Sequence, residues 1–258
     1  MEAHAWGIPC HKSLEKESTN MNKKYIIIIA LLLLGEILLR ISNIEFQQRE
    51  LWVSILRIVS SSVLALWYYQ YQKPLYSTVD KLFTITLLLP VLTSLSNFLI
   101  PDYFNIVNIF VHICILFIWA YMFILMGAKI EFRDKEHKFL RLFPLYYLLP
   151  ILFYVFSIHP SVSSKYVILL LPYTLIYSCT GTLATFLPMK EEHRVWISWS
   201  IALMIFTNLI YGYDTFMERI PGSNMITRAL VVISRCMIVV GMIKYFKERK
   251  FNHSISEI

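Results

Sequence analysis

Long apolar segments alternate with short polar segments along the whole chain, and this pattern predicts a bundle of membrane-spanning helices. Each run of roughly 18 or more mostly apolar residues is long enough to cross a hydrocarbon core about 30 Å thick. We predict an all-α, polytopic transmembrane bundle of about eight spans. They lie near residues 25–41, 51–69, 82–100, 104–127, 139–158, 166–188, 195–217 and 226–246.

Lys and Arg are concentrated at alternate ends of these spans, which predicts the orientation of the bundle. With the N-terminus inside, most of them fall on the cytoplasmic side, as the positive-inside rule requires. Both termini are therefore predicted to be cytoplasmic. We expect residues 23–250 to form one bundle. Residues 1–22 would be a disordered polar leader and residues 251–258 a short tail.

Composition narrows the function classes. Hydrophobic residues make up 57% of the chain, more than a soluble domain of this length could cover. The net charge of +7 lies in short loops, where it suits anionic lipid and not nucleic acid. The four cysteines are isolated, so neither a metal site nor a disulfide is expected, and no cofactor is indicated. We expect the protein to be located in the cell membrane, which would be the inner membrane of a bacterium.

Charged, amide and histidine side chains are costly inside membrane spans and are candidates for function, and we single out seven of them. Their positions along the spans place them all in the outer half or at the midplane. We therefore expect a shared polar cavity that opens toward the outer side. The seven residues are Glu36, Arg57, Asn97, His112, Asn208, Asp214 and Arg235.

Structural roles compete with functional ones for most of these residues. Glu36 and Arg40 are four positions apart and could simply pair on one helix face. Arg57 could extend its guanidinium to the membrane surface, and His112 could be a hydrogen-bonded core residue. Arg235 is hardest to explain structurally, because it is mid-span with no acidic residue within one turn. It could hold a phosphate or a carboxylate.

Several short motifs resemble the YhhN or lysoplasmalogenase-like family of eight-span membrane proteins. Lys73-Pro74-Leu75 follows span two, and residues 94–99 read SLSNFL near the end of span three. Residues 206–216 read FTNLIYGYDTF, and Tyr173 and Tyr177 in span six also fit. The resemblance covers about residues 23–246.

This resemblance implies a hydrolase that cleaves the vinyl-ether bond of lysoplasmalogens, using two aspartates as acid and water-positioning groups. Asn97 and Asn208 stand at the positions of those aspartates, which would impair proton transfer. His112 lies close to a family histidine. Asp214 or Glu36 could substitute as the acid.

Three functions remain in competition. The first is hydrolysis of a lysoplasmalogen-type lipid, with Asn97, His112, Asn208 and Asp214 as the candidate catalytic positions. Arg235, Arg57 and Glu36 would bind the substrate, a single-chain lysophospholipid of the membrane. The second is a non-catalytic lipid-binding or structural protein on the same scaffold. The third is a transporter of small solutes, which the lack of charge in the inner half disfavours.

Overall fold

The computed structural model describes residues 11–73, 76–130, 143–161 and 164–256, and within them the chain forms nine α-helices and no strand. Short 3-10 turns at Pro101–Tyr103 and His159–Ser161 and a π-helical turn at Tyr154–Ile158 extend neighbouring helices. The helices are α1 (His11–Ile41), α2 (Phe46–Gln72), α3 (Thr78–Leu88), α4 (Pro90–Leu99), α5 (Phe104–Leu125), α6 (Phe143–Phe153), α7 (Ser164–Thr185), α8 (Glu191–Phe216) and α9 (Ser223–Ser256).

Within the described part of the chain, six helical segments are long and apolar enough to cross a membrane. Large apolar side chains point away from the bundle, and Phe156 and Ile168 are 74% and 76% exposed. Hydrocarbon accounts for this exposure, so the chain is a helical integral membrane protein. The segments are Phe46–Gln72, Thr78–Leu99, Pro101–Leu125, Tyr166–Thr185, Glu191–Phe216 and Ser223–Phe246.

The all-α prediction is confirmed for the described residues, while the eight spans and the cytoplasmic termini stay predictions. Helix α1 is not among the six candidate membrane-spanning segments. Its described side chains include the charged residues Lys23, Lys24, Glu36 and Arg40. The fifth predicted span contains a shorter apolar helix, Tyr146–Ile158. Residues 139–142 of that span lie outside the described residues.

Some element boundaries differ from those predicted. Helix α1 begins at His11, within the predicted leader, and α9 continues to Ser256, within the predicted tail. Span three is divided at Leu89, because Pro90 has no N–H to donate and starts a new helix. Residues 1–10, together with Pro74 and Leu75 of the Lys-Pro-Leu motif, lie outside the described residues.

The packed core lies toward one end of the bundle. It joins α1 at Tyr25 and Ile29 to the last turns of α2 and α5 and the first turns of α3 and α8. Antiparallel neighbours bring these helix ends together. Among its fully buried side chains are Ile29, Trp67, Phe83, Phe123, Ile197 and Met242. This end of the bundle is therefore filled by interlocking side chains.

A buried carboxylate caps the N-terminus of α3 at this packed end. Asp80 is 1% exposed and forms a capping box with Ser77, whose N–H donates to Asp80 Oδ2 over 2.8 Å. The Tyr68 hydroxyl of α2 donates to the other oxygen, Oδ1. One short side chain thus caps α3 and fixes it against α2.

We expect Gly181→Ala to destabilise the protein, because α6 and α7 touch at this glycine. A Cβ there would lie 2.4 Å from Tyr146 Cδ1. Tyr146 is fully buried and donates its hydroxyl to the Ser198 carbonyl over 2.6 Å, so moving it also breaks that bond. Overpacking of this kind costs roughly 1–3 kcal/mol, which should lower the thermal unfolding midpoint in detergent.

Gly35→Ala is the matched control, because its Cβ would meet Leu56 Cδ1 at an ordinary 3.5 Å. Alanine also favours the helix, so the midpoint of this variant should stay unchanged or rise. Equal midpoints for the two variants would contradict the close α6–α7 packing.

Candidate binding site

A cavity of about 460 Å³ occupies the end of the bundle opposite the packed core. It is lined from the last turns of α1 and α4, the first turns of α2, α5 and α9, and the second half of α8. Two exposed residues form part of its rim, Phe46 at the start of α2 and Arg219 in the α8–α9 loop. Of the residues that the structure describes, Glu50 is the one carboxylate in the lining, and the six arginines are Arg40, Arg49, Arg57, Arg219, Arg228 and Arg235.

Glu36 lies behind the cavity wall and holds two of these arginines in place. It is 1% exposed, and its two oxygens are shared between helices. Arg57 of α2 donates to Oε1 over 2.8 Å through Nε and 2.7 Å through Nη2. Arg228 of α9 donates to Oε2 over 2.6 Å. The carboxylate thereby joins α1, α2 and α9, while Arg40, its expected partner, lies farther away at 3.9 Å.

A looser ion cluster lies near the rim. Glu50 is 3.9 Å from Arg40 and 3.8 Å from Arg49, and Asn97 Nδ2 lies 3.5 Å from its other oxygen. These distances are longer than those of charge-assisted hydrogen bonds. The rim cations are therefore only weakly neutralised.

Arg235 is buried in the cavity wall without a counter-ion. It is 9% exposed, and among the described residues it has neither a hydrogen bond nor a carboxylate at ion-pair distance. Arg57 and Arg228 are close enough to repel it electrostatically. An uncompensated charge at this depth is costly, so a cavity ligand is the expected partner.

The position of Arg235 is fixed by the preceding residue. The Ser234 hydroxyl donates to the Ser200 carbonyl over 2.9 Å, and the Ser200 hydroxyl donates to the Ser234 carbonyl over 2.8 Å. This reciprocal pair joins α8 and α9 closely, because both side chains are small. The next residue along α9 is thereby directed to the cavity.

Both asparagines and the histidine that the sequence singled out line the same cavity. Asn208 Nδ2 donates to the Tyr177 hydroxyl over 3.0 Å and to the Met204 carbonyl over 2.9 Å. His112 Nδ1 lies 2.8 Å from the Asn108 carbonyl of its own helix. Asn97 lies across the cavity, near the rim.

Asp214 lies apart from this group, in the last turn of α8. It accepts a hydrogen bond from the Ile220 N–H over 2.7 Å, which holds the turn between the two helices. It lines a smaller outer cavity of about 300 Å³ whose wall also includes Arg40, Arg49 and Arg219. The structure thus gives Asp214 a structural contact beside the rim arginines.

A narrow apolar pocket of about 80 Å³ adjoins the arginine-lined cavity. Helices α5, α6, α7 and α8 enclose it, and Tyr173 and Tyr177 meet in its wall with ring centroids 5.6 Å apart. The two spaces share one wall. It consists of Asn108, His112, Asn208 and Tyr211.

The site includes features that the sequence did not reveal. Arg49 and Arg219 were read only as charges at the span ends, and Arg40 only as a possible partner for Glu36, although all three line the cavity. Asn108 lies one helical turn before His112, a spacing that could have indicated a shared face. No sequence signal pointed to the apolar pocket. Among the described side chains, no three His, Cys, Asp or Glu groups lie together as a metal site requires.

Comparison with known proteins adds no relative, since no protein-family model, curated protein or solved structure matches the chain.

We expect Glu36→Gln to destabilise the protein strongly. The amide keeps the shape of the side chain but leaves Arg57 and Arg228 without their carboxylate. Removing one partner of a buried ion pair costs about 3–5 kcal/mol. The thermal unfolding midpoint should fall, whereas Glu45→Gln, at an exposed position without a side-chain cap bond, should leave it unchanged.

Arg235→Met is expected to have the opposite effect on the ligand-free protein. Methionine fills much of the same volume and removes a buried charge that has no partner. The free energy of unfolding should rise by roughly 1 kcal/mol or more, measured by thermal unfolding after removal of bound lipid. A clear fall would show that Arg235 makes a structural contact.

Proposed function

We propose that this membrane protein binds a single-chain lipid with an anionic head group. The head group would occupy the arginine-lined cavity and the chain would enter the apolar pocket. The shared wall of Asn108, His112, Asn208 and Tyr211 carries this proposal. An amphiphile is the kind of ligand that needs a polar and an apolar space in direct contact.

The charge of the cavity supports an anionic head group. Arginine is suited to phosphate and carboxylate, because its planar guanidinium can donate two parallel hydrogen bonds. Six arginines against one lining carboxylate leave the cavity positive. A lysophospholipid fits this description. It would come from the cell membrane, which would be the inner membrane of a bacterium.

The packed core favours binding over transport. Alternating access needs a path on both sides of the site. At the opposite end, Trp67, Trp119 and Phe123 are buried in one continuous core. A site closed at one end suits a ligand that enters and leaves on the same side.

We expect Leu209→Trp to weaken lipid binding, because Leu209 lines the apolar pocket and does not line the arginine cavity. The indole would fill the space for the chain. Binding of an anionic lysophospholipid to the purified protein, followed by native mass spectrometry, should fall at least tenfold. Phe206→Trp adds bulk on the lipid-facing side of the same helix, where Phe206 is 55% exposed, and should bind as the wild type does.

Vinyl-ether hydrolysis is the second candidate function. Its support is the placement of Asn97, His112 and Asn208, which line one cavity although they come from three helices. In this reaction a proton adds to the vinyl carbon, water attacks the resulting cation, and the hemiacetal separates into an aldehyde and a glycerophospho-alcohol. The wild type has an amide at both positions where the resemblance implies an acid.

The double substitution Asn97→Asp/Asn208→Asp tests this candidate. If the scaffold is a hydrolase that lacks only its acids, the variant should release aldehyde from a vinyl-ether lysolipid faster than the wild type. Turnover by the wild type that is lost in Arg235→Met would indicate an enzyme with a different acid. Absence of aldehyde from both proteins, together with lipid binding by the wild type, would leave binding as the function.

A further inference from the structure

The inner end of the cavity carries a defined excess of positive charge. Arg57, Arg228 and Arg235 interact electrostatically there, and Glu36 is the carboxylate bonded to the first two. Three guanidinium groups and one carboxylate leave two positive charges. Because Glu36 lies behind Arg57 and Arg228 and not in the cavity wall, the ligand meets the cations first.

We propose that the cavity selects a phosphomonoester head group carrying two negative charges, in preference to a zwitterionic or singly charged one. This inference rests on the proposed function and specifies the class of lipid. A phosphomonoester carries about −1.5 to −2 charges at neutral pH and three strong acceptor oxygens. It therefore matches both the excess charge and the number of arginines at the inner end.

Arg235 is the residue for which the ligand would supply the missing hydrogen-bond and ion-pair partner. The guanidinium groups of Arg57 and Arg228 already donate to Glu36, whereas that of Arg235 has no partner among the described residues. A phosphate oxygen in front of it would remove the cost of the buried charge. The ligand would also screen the repulsion among the three arginines.

A zwitterionic head group would place its ammonium among cations. Glu50 is the one carboxylate that lines the cavity, and Arg40 and Arg49 already flank it. The Phe46 ring at the rim is covered by the Arg49 guanidinium, 5.2 Å from the ring centroid. This carboxylate and this ring therefore already face guanidinium groups, which would repel an ammonium at the rim.

The two asparagines acquire a role under this proposal. As amides, Asn97 and Asn208 line the cavity without reducing its positive charge. A carboxylate at either position would neutralise one arginine and repel a phosphate. The double substitution Asn97→Asp/Asn208→Asp should therefore weaken phosphomonoester binding, whatever its effect on hydrolysis.

The test uses three ligands with the same chain on the full-length protein in maltoside detergent. They are dodecyl phosphate, its methyl ester and dodecylphosphocholine. We expect dodecyl phosphate to bind at least tenfold more tightly than the other two in calorimetric titration. Arg235→Met should weaken dodecyl phosphate roughly ten- to hundredfold, the range for hydrogen bonds to charged groups, and bring its affinity close to that of the methyl ester.

Lys244→Met is the matched control, because it removes one positive charge from the same helix outside the cavity, where the Lys244 ammonium lies 5.0 Å from the Trp196 ring centroid. It should leave all three affinities unchanged. An equal loss in this variant would overturn the role of Arg235, because it would indicate a general charge effect.

The remaining outcomes separate the head-group inference from the proposed function. Equal binding of all three ligands, lost in Leu209→Trp, would overturn the phosphomonoester preference and retain the lipid site. Inorganic phosphate is titrated as a fourth ligand. If it binds tightly and Leu209→Trp leaves its affinity unchanged, the dianion site is supported and the proposal of a lipid ligand is overturned. Absence of binding by every ligand would overturn both.

Discussion

The carboxylate of Glu36 determines how the polar half of this bundle is built. A charge at membrane depth is costly unless it is paired, and Glu36 is paired twice, with Arg57 and Arg228. These bonds fix α1, α2 and α9 relative to one another. They also hold two guanidinium groups at a buried cavity wall, where unpaired arginines would otherwise turn toward the surface.

Much of the polar site could be predicted from the sequence, because charged and amide side chains stand out in apolar spans. Six of the seven residues singled out meet at or directly behind one cavity, and Asp214 lies beside its rim. That prediction rested on their similar depth in the membrane. Depth follows from the position of a residue along its helix, and it does not depend on which helices are neighbours.

The partners could not be predicted, since a single sequence does not show which helices touch. The sequence indicated only Arg40 as a possible partner for Glu36, but the closer cations come from α2 and α9. The apolar pocket escaped notice for a similar reason. Its aromatic residues have ordinary helical spacing, and only the convergence of four helices leaves a space between them.

The division of the bundle into a hollow half and a packed half determines where an electric field across the membrane would fall. Water and ions in the cavity carry the potential of the adjoining solution inward, so most of the voltage drop lies across the packed half. A charge that crosses the full membrane gains or loses about 2.3 kcal/mol per 100 mV. An anion that moves from solution to Arg235 crosses little of that drop, so its occupancy should be nearly independent of the membrane potential.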